Sequence, residues 1–170
     1  MDLREIQRPL KEHYREDPGE AQITLSARGG SADEVVACSV DLGRAIQEAQ
    51  AHPGVGGAGT GACSGDLLLG ALAACAQLTC QMVASAMGIQ AERIEVLVEG
   101  DLDLRGTLGI DRGVPAGFNE IRVRFEIDAP AASEDELASL ISKTERYCTV
   151  LQSLRAPSPV STELAPNVPG

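Results

Sequence analysis

The stretch from Leu67 to Met87 restricts the fold more than any other part of this 170-residue chain. Leucine, alanine, Met82 and Val83 fill most of its positions, so a helix drawn through it has almost no polar face. Such a helix has to be covered on several sides. The start and stop signals fit. Ser64 is a good N-cap, Asp66 falls in the first turn where a carboxylate meets the positive end of the helix dipole, and Gly88 marks the end. The longest apolar run, Leu67 to Ala76, is interrupted by Gly70 and followed by Gln77, which reads as too short and too broken to span a bilayer. The expectation is a buried central helix with the rest of the chain wrapped around it.

The other segments supply the wrapping. Residues 21–27 alternate, Ile23 and Leu25 with Thr24 and Ser26, and predict a strand. Arg28-Gly29-Gly30 predicts a turn, and residues 34–41 a returning strand. Residues 93–99, residues 102–110 beyond a tight Gly100-Asp101 turn, and residues 121–127 predict a meander with one buried face. Ser133 and Glu136 have the spacing of a capping box and open a helix to about Val150. On it Leu137, Leu140, Ile141, Thr144 and Cys148 share one stripe, so Cys148 is expected to face the core. A short strand at residues 161–164 ends the pattern. The fold class is α+β: an N-terminal arm over 1–18, one domain over 19–166, and a tail over 167–170.

Charge and composition exclude several functions. A net charge of −11 repels phosphate backbones and anionic headgroups, and with 2% aromatics and no Trp there is little to stack on bases. Neither nucleic acid nor membrane is expected as a partner. The glycine-rich stretch over 51–65 lacks the Gly-Lys-Ser/Thr of a phosphate loop and reads as a close-packed connection. His13 and His52 are the only histidines, and although His52 lies near Cys63 and Asp66, the ligand spacing of a metal site is missing. The charged start, Met1 to Asp17, has no export signal, so a cytoplasmic location with reduced thiols is expected. Five cysteines without a CxxC spacing argue against a disulfide scaffold, a zinc ribbon or a thioredoxin motif. Cys38, Cys63 and Cys80 read as small hydrophobes. Cys75 and Cys148 lie on the two best helices, but spacing alone does not show that they meet.

The segment SGDLLLGALAAC ending at Cys75, and later RYCTVLQSL around Cys148, resemble the OsmC/Ohr family of peroxide-reducing thiol proteins. The intervening VEGDLDLRGTLG and the Gly117-Phe118-Asn119-Glu120-Ile121 strand fit as well, so the resemblance covers roughly residues 20–165. It implies an OsmC-like fold, with an antiparallel sheet wrapped around the central helix and a second helix, in an intertwined homodimer. It also implies that Cys75 attacks a small hydrophobic hydroperoxide and that Cys148 then forms a disulfide with it. No bound cofactor or metal is needed, only an external thiol reductant, either a dithiol such as lipoyl or a monothiol. A buried thiolate needs a cation beside it. Relatives use an arginine held by a carboxylate, which points to Arg28, with Arg44 second, and to Asp66. Here Gly65 stands where hydroperoxide reductases carry Glu, and the usual upstream Pro is missing. The alternatives are a dimeric small-ligand binding or redox-sensing protein, and a disulfide-exchange role.

Overall fold

The computed structural model describes residues 3–31, 38–41, 51–59, 62–157 and 159–164, with backbone alone for 3–7, 25–31 and 38–41. The described elements are α1 (Leu3–Glu16), β1 (Gln22–Ser31), β2 (Cys38–Asp41), α2 (Ser64–Met87), β3 (Arg93–Asp103), α3 (Leu104–Thr107), β4 (Phe118–Asp128), α4 (Glu134–Tyr147) and α5 (Thr149–Arg155). The strands form one antiparallel sheet in the order β2-β1-β3-β4. Val96 and Val98 on one face of β3 pack with Leu69 and Leu72 of α2 and with Leu151 of α5. This is the α+β arrangement of sheet, long central helix and second helix that the sequence predicts.

Helix α2 begins one residue earlier than expected, with Cys63 rather than Ser64 as its N-cap. The Asp66 carboxylate reaches back and accepts the Cys63 N–H at 2.7 Å, which satisfies one of the orphan donors of the first turn. At the other end Gly88, at φ +72°, returns its N–H to the Ala84 and Ser85 carbonyls. Leu69, Leu72, Ala73 and Ala76 are fully buried, while Leu68 and Met82 are 38% and 46% exposed. Ser64, Leu68, Ala71, Cys75, Leu78, Met82 and Ser85 recur at alternating spacings of four and three, so they form one stripe along the less covered side. By length and composition α2 is apolar enough to cross a bilayer, contrary to the sequence expectation, but 56% of its most apolar window is buried within the fold.

The Gly100-Asp101 pair is not a turn. Strand β3 runs straight through it, paired with β1 and β4. The glycine is there for space: a Cβ on Gly100 would lie 2.6 Å from two ring carbons of Phe118 and 3.1 Å from Leu69 Cδ2. The predicted strand over 102–110 stops at Asp103 because its side chain caps α3. The Asp103 carboxylate accepts from the Arg105 N–H at 3.0 Å and from Gln22 Nε2 at 2.6 Å, and it pairs with the Arg105 guanidinium at 2.6 Å. That guanidinium holds the buried Asp103 carboxyl below the usual carboxylate range.

Two further expectations change. Arg28, Gly29 and Gly30 are strand, not turn, because they pair with β2 on one side and β3 on the other. Among the described residues, 161–164 find no strand partner, and they are exposed, Leu164 at 98%. The N-terminal arm is a helix fastened to the domain: Tyr14 is buried beside Ala21 and Leu104, and its hydroxyl donates to the Gly54 carbonyl at 3.0 Å. The Ser133–Glu136 capping box forms as predicted, with Glu136 Oε2 accepting the Ser133 N–H at 2.8 Å. Helix α4, however, ends at Tyr147 and not near Val150.

Candidate active site

Two elements bring Cys75 and Cys148 together. Cys75 lies midway along α2, half-buried, at the border between the core and the less covered stripe. Cys148 lies between α4 and α5 with an extended backbone, φ −72° and ψ 104°, and ends one helix while starting the next. Its side chain is fully buried among Leu72, Ala76 and Leu151. Cys75 packs against the buried cluster that contains Cys148, and its thiol is one of the neighbours that act on Cys148. Burial pushes the Cys148 thiol up to about 11, against the opposing effect of the Leu151 and Val150 N–H groups. The arrangement is therefore asymmetric, with one reachable sulfur in contact with one buried thiol that holds its proton at neutral pH.

The other candidate residues fall elsewhere. Asp66 is nine residues before Cys75, which places it about 13 Å away along the axis and on the opposite side of the helix. It serves the Cys63 cap there, and among the described residues no ion pair forms on it. Position 28 pairs with Leu97, whose neighbour on β4 is Arg124. This register puts position 28 in the sheet row of Leu97 and Arg124, and the Arg28 side chain lies outside the described atoms. Arg44 lies outside the described residues. His52 Nδ1 accepts the Gly54 N–H at 3.0 Å, capping the short turn Pro53–Val55. His52 and Cys63 line an apolar cavity of about 490 Å³ with Ile23, Leu68, Leu104 and Phe118, at the N-terminal end of α2. Among the described residues no group of three His, Cys, Asp or Glu side chains could hold a metal ion. Burial raises the Cys63 thiol, and it raises Cys80 to about 11 where it lies against the Thr144 hydroxyl. Both thiols are buried, and the described part of Cys38 is backbone only.

The sequence does not reveal the break at Cys148 or the side chains bonded across it, Glu145, Gln152 and Arg155. Their spacings, seven and ten residues, are not those of neighbours on a continuous helix, and no Pro or Gly marks the bend.

A long apolar helix under an antiparallel sheet, with a second helix beside it, defines the class of fold. The sequence model described as OsmC-like protein matches residues 57–163, well over half of the chain. The chain belongs to the OsmC-like protein family. A solved structure with the same fold is an OsmC-like hydroperoxide resistance protein from Jannaschia sp. CCS1. It is 13% identical, with a TM-score of 0.60 over 85% of this chain and 94% of that one. No curated protein matches the chain.

Proposed function

We propose that this protein reduces organic hydroperoxides through Cys75 and Cys148. The observation that carries the reading is the contact between the half-buried Cys75 thiol and the fully buried, protonated Cys148 thiol. The Cys75 thiolate attacks the terminal oxygen of the hydroperoxide. The O–O bond breaks, an alcohol leaves after taking up a proton, and Cys75 becomes a sulfenic acid. The Cys148 thiol then attacks the oxidised sulfur, the S–O bond breaks, and water leaves with the thiol proton. An external thiol reduces the disulfide in a reducing compartment, and the chemistry calls on no metal or organic cofactor. The apolar surroundings of Cys75 favour an organic peroxide over hydrogen peroxide. The thiolate requires a cation, and Arg28→Ala, Arg44→Ala and Asp66→Asn variants decide which of the sequence candidates supplies or orients it.

The same proposal includes a homodimer. The stripe through Leu68, Ala71, Cys75, Leu78 and Met82 is the apolar side of α2 that one protomer covers least, and a second copy would bury it. The cavity beside His52 and Cys63 supports a second reading, binding of a small apolar ligand. One experiment separates them. Reduced protein is mixed with cumene hydroperoxide, and peroxide and free thiols are counted. Loss of two thiols per peroxide, abolished in Cys75→Ser and limited to one thiol in Cys148→Ser, supports peroxide reduction. Intact thiols and unconsumed peroxide refute it and leave ligand binding.

A further inference from the structure

Three side chains that the thiol chemistry itself does not touch are bonded to one another across the bend at Cys148. No proline or glycine lies between Tyr147 and Arg155, so the backbone has no built-in reason to break there. In an uninterrupted helix the Val150 and Leu151 N–H groups would be consumed by carbonyls one turn earlier. Here Cys148 ends α4 and is the N-cap of α5, so these N–H groups lie in the first turn of a new helix. The chain stays anchored on both sides of the break, with the Cys148 N–H donating to the Thr144 carbonyl at 2.9 Å and the Gln152 N–H donating to the Cys148 carbonyl at 2.9 Å.

The side-chain bonds cross the bend. Gln152 Nε2 donates to the Glu145 carbonyl at 2.7 Å, satisfying an acceptor in the last turn of α4. Arg155 donates from both terminal nitrogens to both carboxylate oxygens of Glu145, at 3.0 and 3.3 Å. A forked pair of this kind fixes direction as well as distance. Arg155 and Glu145 are 53% and 40% exposed, so they add little to the core.

We propose that Glu145, Gln152 and Arg155 form a clasp that fixes the bend at Cys148 and thereby positions its thiol against Cys75. They are positioning residues for disulfide formation. The physiological step they serve rests on the peroxide-reducing reading above: the S–S bond forms, the S–O bond of the Cys75 sulfenic acid breaks, and the Cys148 proton leaves in water. The alignment itself does not depend on the oxidant, because any route to the disulfide needs the two sulfurs in the same narrow geometry.

The test uses Arg155→Glu, Gln152→Ala with Arg155→Glu, and the swapped pair Glu145→Arg with Arg155→Glu. After one equivalent of cumene hydroperoxide, the lifetime of the Cys75 sulfenic acid is read by timed dimedone trapping and mass spectrometry. Arg155→Glu should lengthen it about two- to five-fold, and adding Gln152→Ala should take it to about ten-fold. The swapped pair should return it toward wild type, which a nonspecific loss of structure would not do. In parallel, the effective concentration of the two thiols is titrated in glutathione redox buffers without peroxide, where it should fall by similar factors. Wild-type effective concentration in the Gln152→Ala, Arg155→Glu variant overturns the clasp. If no sulfenic acid forms even in Cys148→Ser, the peroxide reading has failed, and the glutathione titration still decides the clasp.

Discussion

Raising the pH in the presence of an alkylating agent should discriminate the cysteines by burial. The Cys148 and Cys80 thiols are each raised from the usual 9.0 to about 11 by burial. At pH 8 an ordinary thiol is about one-tenth thiolate and one at 11 about one-thousandth, so both should react about a hundred-fold more slowly with iodoacetamide than a free thiol. The same shift sets a stability slope. Between pH 9 and 11 the native state holds protons that the unfolded chain has lost, so stability falls as pH rises through this window. The loss is at most about 2.7 kcal/mol per thiol, from two pKa units at 1.36 kcal/mol each. The assay is alkylation of the reduced protein at several pH values, with each cysteine peptide quantified by mass spectrometry, beside urea melts at pH 8 and pH 10.5. Alkylation of native Cys148 at the rate of a model thiol, with equal stability at the two pH values, would refute the buried-thiol argument.

Other consequences are simpler to read. Gly100→Val should lower stability by about 1–3 kcal/mol in urea melts, because the side chain would enter the Phe118 ring and Leu69; an unchanged midpoint would contradict that packing. Met82→Glu combined with Leu68→Glu should shift the protein toward a monomer in sedimentation measurements, since both change the open stripe of α2. Ser133→Ala should cost about 1 kcal/mol in thermal or urea unfolding through loss of the α4 cap.

The sequence made the hydrophobic layers legible and left the breaks hidden. Continuous apolarity between clear end signals identifies α2, alternation identifies the buried Ile94, Val96 and Val98, and residue spacing identifies the capping box at Ser133. Composition misled where one residue type serves two purposes. Gly100 resembles a turn former but gives a ring room to approach, and Gly29 and Gly30 lie within a strand. Asp103 ends β3 by capping α3 with its own side chain, and Gln22, which also donates to that carboxylate, lies 81 residues away, beyond any local window. The meeting of Cys75 and Cys148 follows from the packing of α4 and α5 on α2, which helical phase can suggest but not align.

The unequal burial of the two sulfurs also bears on how an oxidised form would be undone. In a Cys75–Cys148 disulfide only the Cys75 side is open to an incoming thiol, so the mixed disulfide would form there and Cys148 would have to depart. A thiol whose acidity is as weak as that of Cys148 is a slow leaving group. Turnover would then be paced by reduction rather than by peroxide, and the oxidised protein would persist as a record of exposure until a strong dithiol arrived.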